Sequence, residues 1–174
     1  MKKNILLCAF FTFALLFSNE TTAQKFPDLD KSPADIALYK TKADGVIAKI
    51  VYSRPQLKGR SVSKLAPAGK VWRMGANEST EIRFFKDVNF GGKSVKAGTY
   101  SMFAIPGATE WTLILNKTTN EWGSFGYKES EDVVRVQAPV SSSKTSVEAL
   151  GMMFSKTGDL LIGWDTTVVT VSIK

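Results

Sequence analysis

Apolar and polar residues alternate with a period of two in one short stretch of this chain after another, and no stretch of comparable length shows a helical period. Residues 46–53 set Val46, Ala48, Ile50 and Tyr52 against Ile47, Lys49, Val51 and Ser53, and residues 80–85 set Ile82 and Phe84 against Glu81, Arg83 and Phe85. Residues 99–106, 110–116, 133–139, 147–154, 160–164 and 167–173 read as further strands, with a weaker one at 36–40. Turn residues separate them: Gly45, the pairs Gly91-Gly92, Ala97-Gly98 and Pro106-Gly107, then Gly158 and Asp165-Thr166, while 141–145 reads as a polar loop. Strands at such short intervals imply an all-β domain of about nine or ten short antiparallel strands, closed as a β-sandwich or a jelly-roll-like barrel.

The first 23 residues stand apart from this pattern. Lys2 and Lys3 precede an apolar run at 5–17, and Thr21 and Ala23 supply the small residues a signal peptidase needs. The run is short for a bilayer span, so the segment is expected to be a signal peptide cleaved before Gln24. The mature protein would then be exported, periplasmic or at the cell surface, with no transmembrane segment. Residues 24–35 form an N-terminal lead and 36–174 a single β domain, long enough to bury a core without staples.

Cleavage also removes Cys8, the chain's one cysteine, and there is no histidine. A mature chain without either lacks the usual ligands for zinc, haem, copper or iron–sulfur clusters and the ordinary histidine-dependent nucleophile systems, so no cofactor is expected. Of 23 basic and 16 acidic residues, the loss of Lys2, Lys3 and Glu20 leaves 21 and 15, a net charge of +6. That excess favours an anionic partner, although the lysines are too scattered to suggest nucleic acid.

Functional side chains gather in residues 52–80, YSRPQLKGRSVSKLAPAGKVWRMGANEST, which the prolines and glycines make a long loop between two strands. It carries Arg54, Arg60, Lys70, Trp72, Arg73, Asn77 and Glu78. Each arginine could merely bond loop carbonyls, and Trp72 could be a plug under the loop. Three guanidinium groups on one loop nevertheless repel one another unless anions face them. Farther on, Trp122, Phe125 and Tyr127 lie in a glycine-rich segment, able either to stack on a sugar or to cap the core, and Glu129, Glu131 and Asp132 form an acidic run that lacks the full calcium-loop pattern.

The blocks Tyr52-Ser53-Arg54-Pro55, Lys58-Gly59-Arg60, Gly69-Lys70-Val71-Trp72-Arg73, Gly75-Ala76-Asn77-Glu78, Ala97-Gly98-Thr99-Tyr100-Ser101, Glu110-Trp111-Thr112, Trp122-Gly123 and Asp132-Val133-Val134-Arg135-Val136 resemble the domain of unknown function 2911 family, from about residue 36 to the C-terminus. The resemblance implies an exported single domain of the kind found in Bacteroidetes-type bacteria, and no activity. Met74 stands where the family pattern suggests threonine, and Ala68 where it suggests an aromatic residue.

Two functions are compatible with these residues. In the first, Arg54, Arg60 and Arg73 hold an anionic small molecule or glycan, Trp72 and Trp122 offer flat surfaces, Asn77 fixes its orientation, and Lys70 and Glu78 complete the candidate binding residues. An envelope partner is a variant of this reading. In the second, Glu78 is the acid or base of a hydrolase or lyase, paired with Asp132 or Glu81.

Overall fold

The computed structural model describes residues 24–174, so the expected signal peptide lies outside the described residues. Nine strands follow the lead: β1 (Ala34–Thr41), β2 (Gly45–Ser53), β3 (Thr80–Phe84), β4 (Val88–Phe90), β5 (Lys93–Val95), β6 (Gly98–Ile105), β7 (Glu110–Asn116), β8 (Asp132–Phe154) and β9 (Asp159–Ser172). All pairings are antiparallel, in a seven-stranded sheet of order β1-β2-β3-β6-β7-β8-β9. Neighbours follow chain order except where the β4-β5 hairpin is inserted between β3 and β6. The sheet is thus an up-and-down meander, which lacks the long return connection of a jelly roll.

The last two strands differ from the short ones expected there. The 23 residues of β8 form one strand whose first half pairs with β7 and whose second half pairs with β9. The serine-rich stretch at 141–145 lies within it, because the register jumps from Ser142↔Thr167 to Val147↔Asp165 and the extra residues bulge out of the ladder. Asp165 takes the opposite side of this bulge at φ 53, and its carboxylate accepts the Ser146 hydroxyl at 2.9 Å. The bulge bends the sheet. Beyond it, the second half of β8 meets the segment after β2 through a Gln56↔Ala149 bridge, and the end of β9 meets β4 through Phe90↔Ile173.

This curl encloses one core. Ala48, Ile50, Ile82, Phe84, Met102, Leu113 and Leu115 from β2, β3, β6 and β7 pack in the same cluster as Leu150, Ile162, Trp164 and Val171 from β8 and β9. Each large apolar side chain buried here contributes about 1.5–3 kcal/mol over an exposed one. A second buried layer lies on the outer face of the sheet. Ser101, Phe103, Ile114 and Asn116 alternate with the core residues of β6 and β7, yet all are buried. The 117–131 segment folds back over them, with the Tyr127 ring edge-on to Phe103 at 5.0 Å.

Candidate functional site

The 54–79 connection is pinned at both ends and in the middle. Leu57 N–H donates to Glu148 O and Leu150 N–H to Pro55 O, each at 3.0 Å, so the start of the loop runs as an extra edge beside β8. A single helical turn, α1 (Val62–Leu65), follows, with the Ser61 hydroxyl capping it by accepting Lys64 N–H at 3.3 Å. Trp72 then exchanges two backbone bonds of 2.8 Å with Ala104, and a Glu78↔Trp122 bridge ties the end of the loop to the 117–131 segment. The loop is therefore a fixed part of the fold.

Trp72 is buried. Its ring stacks on Trp164 at 5.5 Å with an interplanar angle of 11° and meets Trp111 edge-on at 5.9 Å. Both neighbours are core side chains, so the indole plugs the loop and presents no free face to a ligand. Met74 is wholly buried at φ 55, which places the departure from the family pattern in the core, while Ala68 is exposed. Gly75 lets the chain pass beneath Ser53: a Cβ at this position would sit 3.0 Å from Ser53 O and 3.1 Å from Thr80 Oγ1. Gly75→Ala should lower stability by about 1–3 kcal/mol, read as a reduced denaturant midpoint with unchanged slope. A midpoint equal to the wild type would show that the loop is free to move there.

Over this plug lies a cavity of about 200 Å³ lined by Arg60, Arg73 and Trp164, with Ser32, Pro55, Leu65, Trp72, Gly75 and Ala76 completing the wall. Two arginines line it and, among the described residues, no acidic residue does. Arg60 spends Nε on Leu57 O at 2.9 Å and Nη2 on Gln56 O at 2.7 Å, which fixes the group against the loop. Arg73 has no salt bridge among the described residues, and its Nε is buried without an acceptor. Burial lowers its pKa from the usual arginine value. Trp164, 2 % exposed, also has an indole N–H with no acceptor. The wall thus carries several donors of hydrogen bonds and a surplus of positive charge.

The third arginine of the loop is placed elsewhere. Arg54 donates Nε to Leu150 O at 2.8 Å and Nη1 to Asp35 at 3.0 Å, beside Tyr52, whose hydroxyl accepts Met152 N–H at 2.9 Å. Lys70 is exposed and is not among the residues lining the cavity. Asn77, at φ 60, turns toward the Asp30 carboxylate, which it helps the Ser32 N–H to stabilise in ionised form. Trp122 is 61 % exposed on the 117–131 segment and Phe125 is more exposed still, but neither lines the cavity. Of the residues expected to meet at one mouth, Arg60, Arg73 and the edge of Trp72 do so. Trp164 joins them, although in the sequence it is one more apolar residue of a strand.

The acidic candidates also separate. Glu78 and Glu81 line a second cleft, of about 420 Å³, with Ser53, Ser79 and Asn120 on its walls. Glu81 Oε1 already accepts Asn120 N–H at 2.7 Å. Asp132 lies apart from both, accepting Asn116 Nδ2 at 2.8 Å, the Tyr127 hydroxyl at 2.8 Å and Arg135 Nε at 2.7 Å. It does not line the Glu78 cleft, so Glu81 and not Asp132 is the carboxylate placed beside Glu78.

Burial, reinforced by the bond to Asp132, pushes Tyr127 up to about 12. The unfolded chain releases this proton near pH 10, two units earlier, so between those values the unfolded state binds fewer protons and stability falls as pH rises. Denaturant midpoints should therefore decline above about pH 10 in the wild type and decline less in Tyr127→Phe. Parallel alkaline limbs in the two proteins would contradict this placement of Tyr127.

A family model described as "Protein of unknown function (DUF2911)" matches residues 32–173. Comparison with the curated proteins and with the solved structures finds no match.

Proposed function

The chain belongs to the DUF2911 family, and we propose that it is an exported binding domain whose ligand is a small oxyanion held in the cavity of Arg60, Arg73 and Trp164. One observation carries this reading: two arginines and, among the described residues, no acidic residue line a single small cavity, and one of the two is partly desolvated with no ion pair among those residues. A buried donor left unpaired costs about 1–3 kcal/mol, and a guest that accepts its bonds recovers that energy. Carboxylate, sulfate and phosphate all have the required geometry. At about 200 Å³ the cavity is smaller than most organic-ligand sites, which favours a compact ion over a glycan or a protein partner. Export enters as part of the proposal, from the leader-like first 23 residues.

Thermal unfolding in sulfate, phosphate and acetate, each against chloride at equal ionic strength, tests the reading. A ligand of the folded state raises Tm with the logarithm of its concentration once the site is saturating. At least one oxyanion should do so beyond the chloride control. Equal shifts in all four salts would leave only general screening and would sink the proposal. Because arginine stays charged across the ordinary range and sulfate does not titrate there, the sulfate effect should be flat between about pH 5 and 9.

The carboxylate reading keeps one support, the shared cleft of Glu78 and Glu81. It requires turnover. A screen of nitrophenyl glycosides and esters that finds hydrolysis lost in Glu78→Gln would favour it, and a screen without turnover would remove it.

A further inference from the structure

On the outer face of the bent end of the sheet, Gly151 of β8 and Gly163 of β9 stand directly opposite one another. Neither has a positive φ, so backbone conformation does not require glycine at either place. Close packing does not require it either: a Cβ on Gly151 would meet nothing nearer than 3.9 Å, and one on Gly163 nothing nearer than 3.7 Å. Glycine inside a strand costs about 0.5–1 kcal/mol relative to alanine, and a β-branched residue would suit the ladder better. Two such positions facing each other leave a bare floor where the sheet would otherwise carry side chains, the arrangement expected where a ligand approaches the backbone.

Apolar walls surround that floor. Val147, Met153, Leu161 and Val168 bound a groove of about 330 Å³, within the range of small-molecule sites, and Met153 is 61 % exposed. Together with Asp35, Arg54 also lines this groove. Its Nε and Nη1 are fixed by Leu150 O and Asp35, while Nη2 makes no hydrogen bond among the described residues and lies 3.9 Å from where a Gly151 Cβ would be. A positioned donor thus overhangs an apolar floor. Asp35 pairs with one edge of the guanidinium at 3.0 Å, which disfavours a dianion and leaves the Nη2 side for one carboxylate.

We propose that this groove is a second binding site, separate from the Arg60 and Arg73 cavity, for an apolar monocarboxylate whose hydrocarbon part lies on the Gly151–Gly163 floor and whose carboxylate meets Arg54 Nη2. Charge complementarity at one end and bare backbone under the rest select this occupant over a peptide, which would need free backbone groups to pair with.

Titration calorimetry with decanoate as the probe, decanol as the neutral control, and wild-type, Gly163→Val, Gly151→Ala and Arg73→Met proteins tests it. Decanoate should bind the wild type at least tenfold more tightly than decanol. Gly163→Val should lose at least tenfold in decanoate affinity while unfolding at an equal or higher temperature, and Gly151→Ala should move in the same direction by less. Arg73→Met should bind decanoate as the wild type does, which separates this site from the anion cavity. Absence of decanoate binding, equal affinity for decanol, or unchanged affinity in Gly163→Val would each overturn the proposal. Should Gly163→Val unfold at a lower temperature, the Gly151→Ala result decides, since its Cβ meets only ordinary contacts.

Discussion

Arg73→Met is expected to abolish the oxyanion-dependent rise in Tm and, at the same time, to make the ligand-free protein more stable. These two effects normally oppose each other, because a side chain that matters for binding usually also contributes packing. Here they share a cause. Without a guest, Arg73 holds a buried Nε with no acceptor and a charge that burial makes costly, with no ion pair among the described residues. Methionine has a similar reach, suits a cavity also lined by Leu65, Trp72 and Trp164, and removes the unpaired donor. Relief of one buried unsatisfied group is worth about 1–2 kcal/mol, or roughly 3–6 °C in a domain of this size. Thermal scans in chloride alone check the stability half of this, and scans in sulfate or phosphate check the binding half. Arg73→Lys sharpens the result: it keeps the charge but loses the planar fork, and should retain only a weak anion effect. A lower Tm for Arg73→Met in chloride would mean that the guanidinium is already satisfied, and the cavity would lose its claim to be a site. Retaining a stability cost of this kind is what a binding surface does when function outweighs packing.

The strand pattern that makes the chain all-β was legible because β2, β3, β6 and β7 each have one face in the core, so their residues alternate. Where both faces of a strand meet solvent the alternation disappears, and the serines at 141–145 therefore look like a loop although β8 continues through them. Nothing local in the sequence signals that Ser101 and Asn116 are buried: the 117–131 segment covers them, and Ser101 is satisfied by the Ser79 hydroxyl at 3.1 Å. The fate of the arginines was out of reach for a related reason. Arg60 is engaged by the nearby carbonyls of Gln56 and Leu57, but Arg54 is engaged by Leu150 O, 96 positions on, so local sequence does not show which guanidinium stays free. Local spacing selects the loop, and long-range pairing selects the residue. Trp164 shows the limit of this, since only its stacking on Trp72, 92 positions earlier in the chain, brings it to the cavity wall.

The largest loss of stability is expected from Asp132→Ala, and the reason also separates this carboxylate from catalysis. Its side chain is 9 % exposed and accepts from three donors at once: the Asn116 amide, the Tyr127 hydroxyl and Arg135 Nε. The Asn116 amide also donates to Lys128 O, and Arg135 Nη2 donates to the Tyr127 hydroxyl at 2.6 Å, so one carboxylate fastens the 117–131 segment to β7 and β8. A carboxylate committed to three donors has little freedom to take up or deliver a proton. Its removal leaves the Arg135 guanidinium with the Tyr127 hydroxyl and, as its one remaining carboxylate among the described residues, the largely exposed Glu129 at 3.2 Å, and takes one of two acceptors from the Asn116 amide. Breaking a partly buried pair in this way costs about 3–5 kcal/mol, a fall in Tm of roughly 10 °C. The double variant Asp132→Ala/Arg135→Met should recover part of that loss, because it no longer leaves a charge without its counterpart. Hydrogen exchange should accelerate first at Thr118 and Lys117, whose N–H groups bond to Asn116 and Glu131 within this knot, while the Leu150 and Trp72 amides across the molecule keep their protection. If Asp132→Ala instead left the midpoint within about 1 kcal/mol of the wild type, the knot would not be what holds the segment down, and burial of Ser101, Phe103 and Ile114 would have to hold it alone.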